Sequence, residues 1–280
     1  MEELKYDLTP MWKALLDIYD EFDRICRRHN LRYYLAYGTA IGVLRHGGFI
    51  PWDDDFDVVM PRPDYERLIE IAPKELPGNL KLLSRKLDKT YIAVFNKVQV
   101  DDPGLVERIQ RESKLSLYQG LYIDIFPIDG APRSKIGQKL YWTKRRCLRS
   151  IGVYLKHRNG KVSMKELPLV ALGWLTHWFY PSVKDPDSVN DTIEKWASTY
   201  RYDDAGWTTN CQGDLPICFP PGSLGEPAMM DFTCCGTVRK VPMMAKADEI
   251  LTLRYGNWRQ PPPPEKCIPS HQIRGLRLKW

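Results

Sequence analysis

"GFIPWDDDFDVVMP" (residues 48–61) places four aspartates within five positions and then runs into an apolar stretch. Carboxylates this close repel one another, and burying them uncompensated is costly. On an extended strand side chains alternate, so Asp53, Asp55 and Asp57 share one face while Asp54, Phe56 and Val58 share the other. Phe56 and Val58 then anchor the segment in a core, and three aspartates converge on a cleft. Converging hard oxygen donors suit Mg²⁺ or Mn²⁺, which complete their shells with water and phosphate oxygens. "YIDIFPID" (122–129) repeats the device, with Asp124 between Ile123 and Ile125 on a buried-looking strand.

Three other readings compete for the acids. An EF-hand loop begins D-x-D-x-D, but it needs Gly where Val58 stands and Glu where Asp64 stands, so it fails. An aspartyl-phosphate phosphatase uses D-x-D-x-[TV], which "DFDVV" matches nominally, yet here the apolar run follows the acids instead of preceding them. A solvated acidic turn is the plain alternative. The preceding "YGTAIGVLRHGG" (37–48) weighs against it, because Gly38-Thr39 opens a short helix whose free N–H groups and dipole favour phosphate. Arg45 and His46, at the far end of that helix, are candidates for phosphate or leaving-group oxygens. A phosphate-holding turn followed by strand-borne acids is the layout of a metal-dependent phosphoryl or nucleotidyl transferase.

Working outward, periodicity predicts a helix over 9–29, with Thr9 as N-cap and Pro10 in the first turn, and a strand over 31–37. Further strands are expected over 56–60, 79–85, 91–100, 120–129 and 236–243, and helices over 63–71, 134–158, 165–180, 186–200 and 244–258. Strands first, a helical section, then strand and helix again predict an α/β or α+β fold with a helical insertion. The expected division is a catalytic core over 1–130, an insertion over 131–210, and a C-terminal strand-helix segment with a Pro-rich tail over 211–280 that completes the core.

Composition is that of a globular protein, 43% hydrophobic and 27% charged. The net charge of +6 is concentrated: Arg133 to Lys165 holds 11 Lys or Arg and no Asp or Glu. The 41 bases less those 11 leave 30 against 35 acids, so the remainder is mildly acidic. Such a block marks an anionic partner or a solvated helix face. Directly after it, "LPLVALGWLTHWFYPSV" (167–183) is the longest uncharged run. A buried core helix is the default expectation there. The sharper one is an interfacial helix with Trp174, Trp178 and Tyr180 at a lipid boundary.

The N-terminal "MEELKYDLTPMWKALLD" carries acids where a signal peptide carries bases, which reads as cytoplasmic, with the inner membrane face as a place of peripheral contact. Seven scattered cysteines suit reduced thiols. Zinc was weighed for the five after residue 210 with His271, but no C-x₂-C pair exists, and adjacent Cys234 and Cys235 would point opposite ways on a strand.

"YYLAYGTAIGVLRHGGFIPWDDDFDVVMPRPDYERL", "NKVQVDD", "GLYIDIFPIDGAP" and "ILTLRYGNWRQPPPPEK", in that arrangement, resemble the LicD family of phosphotransferases, relatives of the fukutin proteins within the nucleotidyltransferase superfamily. The resemblance covers the first 130 residues well and the last 45 loosely. It implies a nucleotidyltransferase-like mixed sheet flanked by helices. It also implies transfer of a phospho-alcohol, most often phosphocholine from CDP-choline, to a sugar hydroxyl of a surface glycan such as lipopolysaccharide, with release of CMP. On this resemblance Asp55 and Asp57 are the paired metal ligands, Asp53 a helper, and Asp124 a third ligand or general base. Gly38 and Thr39 would hold donor phosphate and Lys97 would neutralise it. Other members are expected to move ribitol or glycerol phosphate from CDP donors. A D-x-D glycosyl- or nucleotidyltransferase is a further alternative. The non-enzyme alternative is an anionic-membrane or nucleic-acid binder acting through 133–165, with nucleic acid the less expected partner. A lipid-linked glycan acceptor would join the enzyme and membrane readings.

Overall fold

The computed structural model describes residues 7–91, 93–113, 116–117, 120–158, 163–211, 215–269 and 273–274. In chain order the elements are α1 (Thr9–Arg28), β1 (Tyr34–Leu35), α2 (Tyr37–His46), β2 (Asp57–Pro61), α3 (Arg62–Glu75), β3 (Leu80–Leu83), β4 (Asn96–Val100) and α4 (Pro103–Ser113). They continue with β5 (Ser116–Leu117), β6 (Tyr122–Ala131), α5 (Lys135–His157), α6 (Leu167–His177), α7 (Pro186–Ala197), α8 (Tyr202–Ala205), β7 (Trp207–Thr209), β8 (Ala228–Cys234), β9 (Thr237–Met243), α9 (Ala247–Tyr255) and β10 (Ile273–Arg274). The chain divides into two compact units, Met1–Pro127 with Gly222–Trp280, and Ile128–Pro221.

The first unit is built on a mixed sheet of order β3-β4-β6-β2-β1-β9-β8. β1 pairs antiparallel with β2 and parallel with β9, and β4 runs antiparallel to both β3 and β6. Helices flank the sheet, so the α/β architecture expected from the sequence is the one observed. Helix α1 forms because Leu15, Ile18, Tyr19, Phe22, Ile25 and Cys26 recur at helical spacing, and all are buried. Its start differs from expectation. Leu8 stands at the N-cap, Thr9 is already inside the first turn, and the Asp7 carboxylate accepts the Thr9 N–H at 2.9 Å, while the Trp12 N–H is taken by the Leu8 carbonyl.

The core of this unit converges on Phe56, which is fully buried. Its ring centroid lies 5.0 Å from Tyr19, 5.9 Å from Phe49 and 5.9 Å from Phe232. Trp12 stacks on Phe49 at 5.2 Å. The glycines of the 37–48 segment make this packing close. A Cβ on Gly42 would stand 2.4 Å from the Gly48 carbonyl oxygen, and one on Gly48 would stand 2.2 Å from that of Thr233. Gly47 caps α2 at φ 68°, and its carbonyl accepts the Thr233 N–H at 2.6 Å.

The second unit packs α5 against α6 and α7 around Tyr141, Leu148, Ile151, Val189 and Ile193. Two expectations are corrected there and in the hairpin β8–β9. The 167–183 run is not a buried core helix, since within α6 only Gly173 and Thr176 are buried and Trp174 is 58% exposed. One narrow face, pressed on α5, satisfies the packing and leaves the rest to solvent. Cys234 and Cys235 do not diverge either. Cys235 takes a left-handed φ of 54° in the hairpin turn, bringing the two Sγ atoms to 3.1 Å. All seven cysteines are free thiols, and among the described residues no three His, Cys, Asp or Glu form a ready metal cage. His271 lies outside the described residues.

Gly48→Ala forces a methyl group against the Thr233 carbonyl and should cost about 2–4 kcal/mol in urea unfolding. Gly47→Ala, with open space around its Cβ, should cost only about 1 kcal/mol through its positive φ. Equal losses at the two positions would contradict this packing account.

Candidate active site

The acids are fixed by backbone before any side chain acts. The Ala36 N–H donates to the Asp57 carbonyl at 3.0 Å, and the Asp57 N–H donates to Thr39 Oγ1 at 2.8 Å. The start of α2 therefore clamps the start of β2, and the buried Thr39 hydroxyl is a positioning group for Asp57. Gly38 lies against Asp53, where an added Cβ would stand 3.0 Å from Oδ2. The Trp12 indole N–H donates to the Asp53 carbonyl at 2.8 Å. Regular strand begins only at Asp57, so residues 53–56 lie in irregular backbone and not on the strand whose alternation was expected to order them.

The second strand-borne acid comes from β6. The Asp124 N–H donates to the Phe56 carbonyl at 2.9 Å, which links β6 directly to the acid run. Lys97 on β4 is the antiparallel partner of Asp124, with Nζ 2.9 Å from Oδ1 and 3.3 Å from the Tyr122 ring centroid. Lys97, Asp55 and Asp57 are all buried, and Asp54 is completely so. Burial pushes the Asp57 carboxyl well above the usual range, and Asp55, Asp124 and Asp53 push it further, in that order. Lys97 acts in the opposite direction. Asp53, Asp55, Asp57, Asp124 and Lys97 thus form one electrostatic group.

Arg45 and His46 stand at the other end of α2 and are held by the chain. Arg45 donates through Nη1 to the Trp258 carbonyl at 2.7 Å and through Nε to His46 Nε2 at 2.9 Å. Burial and then the Arg45 charge lower the His46 pKa, which favours the neutral ring that accepts this bond. Asp53 is among the groups that act on the Arg45 charge.

Aromatic residues beside Asp124 were not singled out from the sequence. Tyr122, Asp124 and Phe126 alternate onto one face of β6, opposite Lys97 of β4, and Phe95 lies in the bend just before that strand. Phe126 meets Phe95 at 4.3 Å and Tyr37 at 5.3 Å between centroids, and the Arg254 guanidinium lies 4.5 Å from the Tyr37 centroid. Tyr37 holds φ 49°, a conformation that costs a non-glycine residue about 1–3 kcal/mol and is found at functional sites. The three rings are half-exposed, so they present an aromatic surface next to the acids. The period-2 reading of "YIDIF" held the signal for Phe126; the contact with Tyr37 required the fold.

A divalent cation fits this donor set: several oxygen donors, low solvent access, and one ammonium against four carboxylates. The carboxylates are not gathered into a finished cage, but their mutual repulsion is what a +2 charge would relieve. Carboxylates at and just before a strand, beside a glycine-led helix start on a mixed sheet, form a candidate site suited to phosphate groups. Residues 30–150 match the family described as LicD/FKTN/FKRP, nucleotidyltransferase domain. The chain is 27% identical over 278 positions, spanning 95% of its length and 97% of the other, to the lipopolysaccharide cholinephosphotransferase LicD of Haemophilus influenzae. It is also 31% identical over 61 residues to an uncharacterized protein of Rickettsia prowazekii, covering 22% of this chain and 23% of that one.

Asp57→Asn keeps the backbone clamp and removes one buried charge. Its melting temperature in metal-free buffer should exceed that of the parent protein at neutral pH. Because the folded-state pKa is raised, the parent regains stability as pH falls toward the ordinary carboxylate value of about 4. The advantage of the variant should therefore shrink on acidification, and a gap that widens would contradict the like-charge account.

Proposed function

We propose that this chain is a divalent-metal-dependent phosphotransferase that moves phosphocholine from CDP-choline to a sugar hydroxyl of a cell-surface glycan, releasing CMP. The observation that carries the reading is the group of buried Asp55 and Asp57 with half-buried Asp53 and Asp124, beside Lys97, in a chain similar along nearly its whole length to a lipopolysaccharide cholinephosphotransferase. The acceptor oxygen attacks the choline-bearing phosphorus, a new P–O bond forms, and the bond to the CMP oxygen breaks. Asp55 and Asp57, with Asp53 beside them, would hold Mg²⁺ or Mn²⁺, and the ion would neutralise the diphosphate oxygens.

The remaining roles fall to the chain itself. Asp124 would receive the hydroxyl proton, with the Lys97 ammonium 2.9 Å from its Oδ1. Gly38 brings a helix N-terminus against the acids with no side chain in the way, which suits an approaching phosphate. Thr39 holds Asp57 in place, so its contribution to phosphate binding is indirect. The surface of Tyr37, Phe95 and Phe126 suits a quaternary ammonium, which aromatic faces attract. A ribitol or glycerol phosphate donor has no cation to place there.

CMP release measured with a panel of CDP-linked donors and a glycan acceptor tests the reading. Turnover should be greatest with CDP-choline, be abolished by chelation, and fall by orders of magnitude in Asp55→Ala. Undiminished turnover in that variant would sink the metal role. Phe126→Leu should raise the KM for CDP-choline by about 3- to 30-fold, the equivalent of about 0.5–2 kcal/mol, and leave the KM for CDP-glycerol unchanged. Equal rises for both donors would remove the aromatic surface from choline recognition.

A further inference from the structure

Helix α6 (Leu167–His177) contains no Asp, Glu, Lys or Arg and is apolar around its whole circumference. Such a helix is ordinarily buried on all sides, yet here a single narrow face is covered. That face is made by Gly173 and Thr176; a Cβ on Gly173 would stand 2.0 Å from the Ser150 carbonyl oxygen, so α6 meets α5 at backbone contact. Leu167, Ala171, Trp174, Leu175, Trp178 and Phe179 follow at helical spacing on the opposite side, all exposed. Trp178 is 77% and Phe179 74% accessible. At 11 residues the helix is about 16 Å long, and no described helix is long and apolar enough to cross a membrane.

Charge says what covers this stripe. The partner helix α5 exposes Lys139, Lys144, Arg146, Arg149 and Lys156, within a segment that holds no acid from Arg133 to Lys165. Three of these, Lys139, Arg146 and Arg149, line a cavity of about 690 Å³ with Trp142 and with Leu169 of α6. A second copy seated on the stripe would cover the apolar side chains and leave the exposed bases of α5, across α6 from it, without an anionic partner. An anionic lipid surface answers both features: tryptophan and phenylalanine settle at the headgroup boundary, and the basic helix next to them is drawn to the negative surface potential.

We propose that the Ile128–Pro221 unit docks on an anionic bilayer, with the α6 stripe lying in the plane of the interface and a headgroup phosphate entering the cavity lined by Lys139, Arg146 and Arg149. This goes beyond the transfer reaction and stands independently of it.

Cosedimentation of the full chain with vesicles of phosphatidylcholine, with and without phosphatidylglycerol, tests the proposal. Binding is expected to the anionic vesicles, to weaken as salt is raised, and to shift tryptophan emission to the blue. Trp178→Ser with Phe179→Ser should lower the partition coefficient by roughly tenfold or more. Arg146→Gln with Arg149→Gln should lower it by roughly 25-fold, since each base near an anionic surface contributes roughly fivefold. All four side chains are exposed, so thermal unfolding should not move in either variant. Equal binding to neutral vesicles, no binding at low salt, or full binding by the aromatic double variant would overturn the proposal. So would a dimer in analytical ultracentrifugation that the aromatic variant dissolves.

Discussion

Phe56 is buried among Tyr19, Phe49 and Phe232, and its neighbours in the chain are carboxylates. That one packing interaction carries Asp54, Asp55 and Asp57 below the surface with it. A chain without a reason to hold acids there would place the hydrophobic anchor elsewhere and leave the aspartates in water. Here the hydrophobic burial of one ring offsets part of the desolvation of its neighbours. The backbone clamp from Ala36 and Thr39 then fixes the direction in which the carboxylates point.

The arrangement is electrostatically unfinished. Asp53, Asp55 and Asp124 act on Asp57, Lys97 is engaged with Asp124 and the Tyr122 ring, and the Arg45 charge reaches Asp53. The N-terminus of α2, at Gly38, adds only partial positive charge. The aromatic surface of Tyr37, Phe95 and Phe126 begins beside these acids, with the Arg254 guanidinium over Tyr37 and Lys97 over Phe95, so a ligand there would meet charges of both signs. One set of residues can thus serve both ends of a zwitterionic donor.

Much of this was legible in sequence because it is local. Phe56 as anchor, the grouping of Asp53, Asp55 and Asp57, and Asp124 as the acid from a second strand all follow from short-range patterns. The α/β architecture followed from the order of strand and helix signals, and the β4–β6 register then set Lys97 opposite Asp124. Features that depend on distant partners were not readable. Thr39 read as a phosphate ligand because its bond to Asp57 crosses 18 positions. Hairpin β8–β9 hid its first strand, where exposed positions break the apolar pattern. α6 read as core because composition reports hydrophobicity and not whether anything covers it.

The grip of Gly47 and Gly48 on Thr233, together with the parallel pairing of Leu35 and Met243, has a consequence for how the protein is made. The acid run is synthesised early, but the strands that pack behind Phe56 and complete the sheet emerge only after the whole Ile128–Pro221 segment. At roughly 5–20 residues per second, translation leaves that half-sheet waiting on the order of ten seconds. During that wait β1 offers an open edge, and Phe49 and Phe56 lack the cover of Phe232. The nascent chain therefore passes through a stage with this edge and these rings uncovered, and the sheet that carries the acids is complete only once β8 and β9 have left the ribosome.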